Sequence, residues 1–74
     1  MKVLIQYCTV WNYLPRASSL EEELVKEFGA EVEIAPSVKG AYEIEVDGKR
    51  IFSKLELKRF PRDGEIVRLI QQGS

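Results

Sequence analysis

The first half of the chain carries two kinds of hydrophobic pattern. Residues 2–7 predict a strand, and the apolar run Val3-Leu4-Ile5 within them is typical of a strand buried on both faces of a sheet. From Pro15 onward, apolar residues recur at every third or fourth position, and this spacing predicts an amphipathic helix over residues 15–28. Gly29 is a natural end for that helix, because glycine readily adopts the left-handed conformation that closes helices.

The middle of the chain predicts strands. Polar and apolar residues alternate in residues 31–35 and 42–46, which indicates two strands with one solvated face each. Residues 36–40 between them predict a loop. The Asp47-Gly48 pair predicts a hairpin, because a type I′ turn needs a positive φ at both central positions, and residues 49–55 return as a fourth strand. Acidic residues of the third strand should pair with basic residues of the fourth, at about 0.2–1 kcal/mol each.

The chain closes with a basic connection over residues 56–62 and a last amphipathic helix, which Asp63 can cap. The element order is therefore β-α-β-β-β-α. Two strands joined through a helix should be parallel with a right-handed crossover, whereas the later hairpin is antiparallel. The pattern predicts an α/β, thioredoxin-like two-layer fold, in which two helices pack on a four-stranded mixed sheet.

The length of 74 residues indicates one domain. We assign residues 1–72 to it and interpret Gly73-Ser74 as a tail or a cloning remnant. A chain of this size buries only about 60% of its unfolded surface, so its core is small and each apolar position in it counts.

The net charge of −1 indicates no general attraction to nucleic acid or membrane. The charge is nevertheless divided: residues 1–47 carry four bases and nine acids, whereas residues 48–74 carry seven bases and three acids. One interpretation is two oppositely charged faces that favour solubility. The other is a basic surface that binds an acidic partner.

Cysteine and histidine content restricts the chemistry. The chain has one cysteine, Cys8, and no histidine. An internal disulfide, a zinc finger and a Ser-His or Cys-His catalytic pair are therefore excluded. The first apolar run is too short for a membrane span or a signal sequence, and we expect a cytoplasmic protein with no bound cofactor or metal.

Several short segments, in this order, resemble the selenoprotein W-like (Rdx) family over essentially the whole chain. They are Tyr7-Cys8-Thr9-Val10-Trp11-Asn12-Tyr13, Glu27-Phe28, Gly40-Ala41-Tyr42-Glu43-Ile44-Glu45-Val46-Asp47-Gly48-Lys49 and Phe60-Pro61. The resemblance implies a thioredoxin-like fold and a thiol or selenol oxidoreductase role linked to glutathione. In that family the motif ends in a second cysteine or selenocysteine, a position that Trp11 occupies here.

The resemblance thus carries over one redox residue, Cys8. It implies single-thiol chemistry: a mixed disulfide with glutathione as co-substrate, or with a protein thiol. The attacking species is the thiolate, so the site needs a lowered pKa, and Arg16 and Lys39 are the cations that we expect to assist. The alternative is an inert, half-buried cysteine that behaves as a small hydrophobe.

Trp11 also admits two interpretations. Its ring either folds over the core or forms an exposed platform beside the thiol, where Tyr13 and Phe60 would complete a surface for a protein partner. Pro36 is the residue that could face Cys8 from an opposite loop, although a proline that ends a strand is the simpler interpretation. A catalytically degenerate protein-binding module is therefore the alternative function, and the sequence leaves the oligomeric state open.

Overall fold

The computed structural model describes residues 1–73, and in this part of the chain it contains four strands and three helices. They are β1 (Lys2–Cys8), α1 (Leu14–Phe28), β2 (Glu31–Ser37), β3 (Tyr42–Val46), β4 (Lys49–Ser53), α2 (Lys54–Leu57) and α3 (Glu65–Gly73). The predicted order is confirmed, with the four-residue α2 as an addition. The predicted tail begins at Gly73, the last residue of α3, and Ser74 lies outside the described residues.

The four strands form one mixed sheet in the order β2-β1-β3-β4. β1 pairs with β2 in parallel and with β3 in antiparallel orientation, and β3 pairs with β4 in antiparallel orientation. This confirms the predicted α/β fold, since the crossover through α1 makes the first two strands parallel. The arrangement places β1 at the centre of the sheet, so the end of β1 is enclosed by both neighbouring strands.

Helices α1 and α3 pack on the same face of the sheet and form the hydrophobic core with it. The core takes Val3 and Ile5 from β1, together with residues of both helices and of the other strands. Leu4 and Gln6, which point to the other face, are only half-buried. The prediction that β1 is buried on both faces was therefore wrong along most of its length, because the two long helices cover one face.

The backbone conformations at the end of α1 and in the β3–β4 hairpin are those that the sequence predicts. Gly29 closes α1 with a φ of 61°, and its N–H donates to the carbonyl of Val25 at 2.8 Å. Asp47 and Gly48 have φ values of 49° and 85°, so both central residues of the hairpin are left-handed, as a type I′ turn requires. Helix and hairpin boundaries are thus set by local turn chemistry.

The hairpin departs from its predicted pattern at Glu43, which is 4% exposed instead of facing solvent. Its carboxylate accepts hydrogen bonds from the hydroxyl of Ser53 and, at 3.3 Å, from the backbone N–H of Leu55. Ser53 in turn caps α2 by accepting from the N–H of Glu56 at 3.2 Å. These bonds end β4 at Ser53, earlier than the predicted Leu55. The expected cross-strand pair is present in the form of Arg50 and Glu43, at 3.9 Å.

Two further boundaries differ from the prediction. Pro36 and Ser37 belong to β2 instead of the following loop, because they continue the parallel pairing with Tyr7 and Cys8. At the start of α3, the acidic acceptor is Glu65 in place of the predicted Asp63. Its carboxylate binds the N–H of Arg62 at 2.8 Å. Within residues 1–73, no helix combines the length and apolarity that crossing a membrane requires.

Candidate functional site

Cys8 is the last residue of β1, and two loops enclose it. The first loop (residues 9–13) returns to it through the N–H of Tyr13, which donates to the carbonyl of Cys8 at 3.3 Å. The second loop (residues 38–41) is attached through the N–H of Cys8, which donates to the carbonyl of Ala41 at 2.9 Å. As a result the cysteine is 0% exposed, more deeply buried than the sequence suggested.

The electrostatic surroundings of the thiol favour its ionised form. Burial by itself raises the pKa of Cys8, but backbone N–H groups of Gly40, Trp11 and Val10 hydrogen-bond the sulfur and outweigh this effect. The positive charge of Lys39 acts in the same direction, so the net pKa lies below its ordinary value. Donors from both loops thus converge on one sulfur atom, an arrangement that stabilises a thiolate.

Of the two cations expected to assist the thiol, only Lys39 acts on its pKa. Arg16 instead lies over the ring of Phe60, with its Cζ atom 3.9 Å from the ring centroid. The sequence placed Arg16 near Cys8 because the two are close along the chain. The structure instead places Arg16 in α1 against Phe60, and backbone N–H groups supply the stabilisation of the thiolate that we expected from it.

Trp11 lies across both loops, and its side chain remains 52% exposed. A Cβ atom placed on Gly40 would lie 3.5 Å from Cζ3 of Trp11, so the ring edge packs directly on the second loop. The Nζ atom of Lys39 lies 5.3 Å from the centroid of the same ring. Trp11 therefore combines the two interpretations, since one edge covers the thiol loops and the rest of the ring faces solvent.

Trp11 begins a row of aromatic rings that leads away from the thiol. Its centroid lies 6.2 Å from that of Tyr13, which lies 4.7 Å from Phe60, and Phe60 lies 5.3 Å from Tyr42. We call these four residues the aromatic row. It brings together Trp11, Tyr13 and Phe60, the three aromatic residues that the sequence proposed as a binding surface.

Pro36 lies apart from this row. It pairs with Tyr7 inside β2 and its side chain is exposed, and residues 1–73 contain no cis peptide bond. The backbone that faces the sulfur from the opposite side is that of Gly40. Gly40 has a φ of 83°, a conformation that glycine adopts without strain and that lets the second loop approach the thiol.

Sequence reasoning missed Tyr42 and Lys54 as members of this site. The Tyr42 hydroxyl donates to the carbonyl of Arg16 at 3.1 Å, and burial raises its pKa to about 12. Lys54 places its Nζ atom 5.5 Å from the Tyr13 ring and 5.2 Å from the Phe60 ring. Both residues lie far from Cys8 along the chain, and although Tyr42 belongs to a family motif segment, no local pattern indicates that its ring joins Trp11, Tyr13 and Phe60.

Residues 2–72 match the model of the Rdx family. This chain belongs to the Rdx family. The match covers the whole described domain except its ends, and it confirms the resemblance seen in the ordered motif segments. The matched residues include Cys8 and Trp11, so the Tyr7-to-Tyr13 segment that carried the resemblance lies inside the family match.

Relatives and solved structures agree with this assignment. The Rdx chain is 32% identical over 78 residues to migration and invasion enhancer 1 of Bos taurus and 34% identical over 76 residues to that of Mus musculus. It spans 65% and 64% of those proteins, which are longer.

Two crystal structures share the fold of this Rdx chain. One, from Bordetella parapertussis, superposes with a TM-score of 0.91 at 26% identity and covers 99% of this chain and 96% of its own. The other is a selenoprotein W-related protein from Vibrio cholerae, with a TM-score of 0.85 at 26% identity and coverage of 96% and 92%. The family and the thioredoxin-like α/β fold are thus supported over the full length of the domain.

Proposed function

We propose that this Rdx protein is a single-thiol redox protein that acts through Cys8. The observation that carries the proposal is the convergence of three backbone N–H groups on one sulfur atom, which lowers the pKa of the thiol despite its burial. A thiolate is the nucleophile in thiol–disulfide exchange. A free cysteine also suits a reducing compartment, and we extend the proposal to a cytoplasmic location.

The reaction proceeds in two exchanges. The Cys8 thiolate attacks one sulfur of oxidised glutathione, a new S–S bond forms, and one glutathione thiolate leaves with the electron pair of the broken bond. A second thiolate, from a protein thiol or reduced glutathione, then attacks the glutathione sulfur of the mixed disulfide, so that the Cys8–glutathione bond breaks and a new disulfide joins the attacking thiol to glutathione. With a protein thiol the product is a glutathionylated protein, whereas with reduced glutathione the step returns oxidised glutathione and only releases Cys8. That step regenerates the Cys8 thiolate. The N–H groups of the two loops stabilise the thiolate at the beginning and the end of the cycle.

The burial of Cys8 adds a requirement to this reaction. A disulfide cannot reach a sulfur that is 0% exposed, so the two loops must separate before attack. Trp11 packs on Gly40 and links them, and its movement is the simplest way to open the site. The observed rate should then combine the thiolate fraction with the frequency of loop opening.

Alkylation of Cys8 as a function of pH tests the redox proposal, with the same chain in denaturant as its internal reference. We expect the native midpoint to lie below that of the denatured chain, which should be near the ordinary value of about 8.5. Mass spectrometry after incubation with oxidised glutathione should show one adduct that reduced glutathione removes. Cys8→Ser is the control. A native midpoint at or above the denatured one, without an adduct, contradicts the proposal.

A second candidate function is supported by exposed apolar side chains beside the thiol. Val10 and Val38, at the tips of the two loops, are 65% and 63% exposed. Such side chains flank a half-exposed tryptophan, which is the residue type that most often anchors protein–protein contacts. We propose that the same end of the molecule binds a protein partner, whether or not Cys8 reacts.

Trp11→Ala distinguishes the two functions. The binding function predicts that this variant loses a partner retained by the wild type. Its free energy of unfolding should fall by only about 1 kcal/mol or less, because Trp11 is already half-exposed to solvent. A loss of several kcal/mol would instead make Trp11 a structural residue and remove the support for the binding function.

A further inference from the structure

We propose that the partner bound at the Cys8 end is a peptide segment that combines carboxylates with large apolar side chains. This proposal rests on the second proposed function and adds the chemistry of the ligand to it. It is carried by two features that the fold places together: an apolar surface around Trp11, and three cations aligned along the aromatic row.

The apolar part of the surface is continuous across the two loops. Trp11 and Leu55 converge on Gly40, since a Cβ atom there would lie 3.5 Å from the ring of Trp11 and 3.9 Å from Cδ2 of Leu55. Val10 precedes Trp11 in the first loop and Val38 lies two residues before Gly40 in the second, and all four side chains are exposed. A group of exposed apolar side chains at one end of a domain is typical of a site that is covered by another molecule.

The charged part consists of Arg16, Lys39 and Lys54, which we call the cationic rim. Each member lies over a ring of the aromatic row: Arg16 over Phe60, Lys39 over Trp11, and Lys54 between Tyr13 and Phe60. The rim gathers residues from α1, the second loop and α2, so it is not visible in the charge of any one segment.

The cationic rim takes no part in an ion pair within the described residues. Within residues 1–73, the ion pairs join Arg50 to Glu43 and Arg59 to Glu65, and neither involves a rim residue. Three cations that surround apolar side chains favour a ligand with carboxylates at its edges and apolar groups at its centre. The molecule as a whole carries a charge of −1, so this attraction is local.

Single-stranded nucleic acid is the competing ligand, because it also binds aromatic rings and cations. The geometry favours a peptide. Tyr13 and Phe60 are half-buried and packed edge to face at 74°, so they offer no open face for a base. The remaining exposed groups are the aliphatic chains Val10, Val38 and Leu55, which contact apolar side chains well and stack poorly on bases.

The single tryptophan makes the test direct, since Trp11 is the only one in the chain and its emission reports on this surface. The probe is a short synthetic peptide in which glutamates alternate with phenylalanines. We expect a saturable blue shift of the Trp11 emission that weakens with salt. Two comparison peptides, with lysine in place of glutamate and with serine in place of phenylalanine, should bind at least tenfold more weakly.

Charge-reversal variants locate the binding. Lys39→Glu and Lys54→Glu should each lower the affinity for the glutamate-phenylalanine peptide by about threefold to tenfold. Lys54→Gln should lower this affinity by less. The matched control is Lys26→Glu, an exposed lysine near the other end of α1, about 18 Å along the helix from Leu14. The affinity of Lys26→Glu for the same peptide should stay within twofold of that of the wild type. Trp11→Ala, followed with a fluorescent peptide, should lose about thirtyfold or more.

All titrations are repeated in Cys8→Ser, which keeps the outcome independent of redox chemistry. The proposal is overturned if the peptide does not bind, if Lys26→Glu weakens binding as much as Lys39→Glu, or if an oligothymidylate binds more tightly than the peptide. Should a protein partner still be captured through Trp11 when the peptide fails, the second proposed function stands and only this ligand chemistry is wrong. If Trp11→Ala changes neither peptide binding nor binding of a protein partner, both the second proposed function and this ligand chemistry are wrong.

Discussion

Two buried acidic side chains of this protein, Cys8 and Glu43, are surrounded in a similar way but by different parts of the fold. Both are closed off from water, and both accept hydrogen bonds from the backbone. The donors to Glu43 belong to regular elements: Ser53 ends β4, and Leu55 lies in α2. The donors to Cys8 belong to two loops.

This difference distinguishes a carboxylate that joins regular elements from a thiol for which we propose a redox role. Glu43 fastens β3, β4 and α2 to one another, so its bonds can break only if those elements come apart. The donors of Cys8 can separate without disturbing the sheet, because loops open at a lower free energy than strands and helices. The same local chemistry thus stabilises the fold at Glu43, whereas at Cys8 the proposed redox role requires the loop donors to separate from the sulfur.

Removal of the Glu43 carboxylate should have the largest effect. Glu43→Ala leaves Ser53 and the N–H of Leu55 without their acceptor inside the protein, and we expect a loss of about 2–4 kcal/mol in the free energy of unfolding. Denaturant titration measures it. Cys8→Ala, at a site of equal burial, should cost only about 1–2 kcal/mol. Equal losses of unfolding free energy in the two variants would show that the contacts around Cys8 stabilise the fold as much as those around Glu43.

Glu65 is a second carboxylate held by regular structure, and its contribution to stability should depend on pH. Glu65 receives two bonds from Arg59, at 2.7 and 2.9 Å, and one from the N–H of Arg62. These lower its pKa from 4.5 to about 2. Because the folded-state pKa is the lower one, the stabilisation is complete above about pH 4.5 and disappears as the pH falls towards 2.

The size of this effect is limited by solvent. The full shift corresponds to about 3 kcal/mol, but Arg59 is partly exposed, and screening reduces our expectation to about 1–2 kcal/mol. Unfolding free energies measured between pH 5 and 2 should show the decline, and Glu65→Gln should flatten it by that amount. A variant with the same slope as the wild type would mean that other carboxylates cause the acid sensitivity.

Gly40→Ala tests the second loop. An alanine at a φ of 83° is strained by about 1 kcal/mol, while its Cβ would meet Trp11 at an ordinary contact distance of 3.5 Å. We expect this loss of stability together with a changed pH midpoint of Cys8 alkylation. Gly48→Ala is the matched control, because Gly48 has a φ of 85° and open space around it. It should lose similar stability and leave the thiol unchanged.

The smallest effect on stability is expected for Trp11→Cys, which restores a second thiol to the loop. The N–H of Trp11 bonds the Cys8 sulfur, so the two side chains start from the same short loop and should form an internal disulfide. Loss of both free thiols, counted by alkylation and mass, measures it. The net stability change should be about 1 kcal/mol or less, because closing so short a loop stabilises by about 2 kcal/mol at most and the lost packing of Trp11 offsets part of that. Persistent free thiols under oxidising conditions would contradict this placement of the motif.

The overall fold could be predicted well from the sequence because its determinants are local. Helical spacing marks α1, Gly29 ends it, and Asp47-Gly48 folds the hairpin, each through interactions between residues close along the chain. The motif segments then indicated the Rdx family and Cys8. Boundaries were less certain where distant residues decide them: β2 runs on to Ser37 because it pairs with β1.

What the sequence determined by itself was the order of the elements, the family and the presence of one thiol without a second. Only the tertiary structure decided that Cys8 is fully buried, that Glu43 is a buried anchor, and that Arg16, Lys39 and Lys54 line a single row of aromatic rings. Periodicity shows which face of an element is apolar. It carries no information on which backbone donors or cations distant segments bring to that face, because those contacts form only when the sheet assembles around β1.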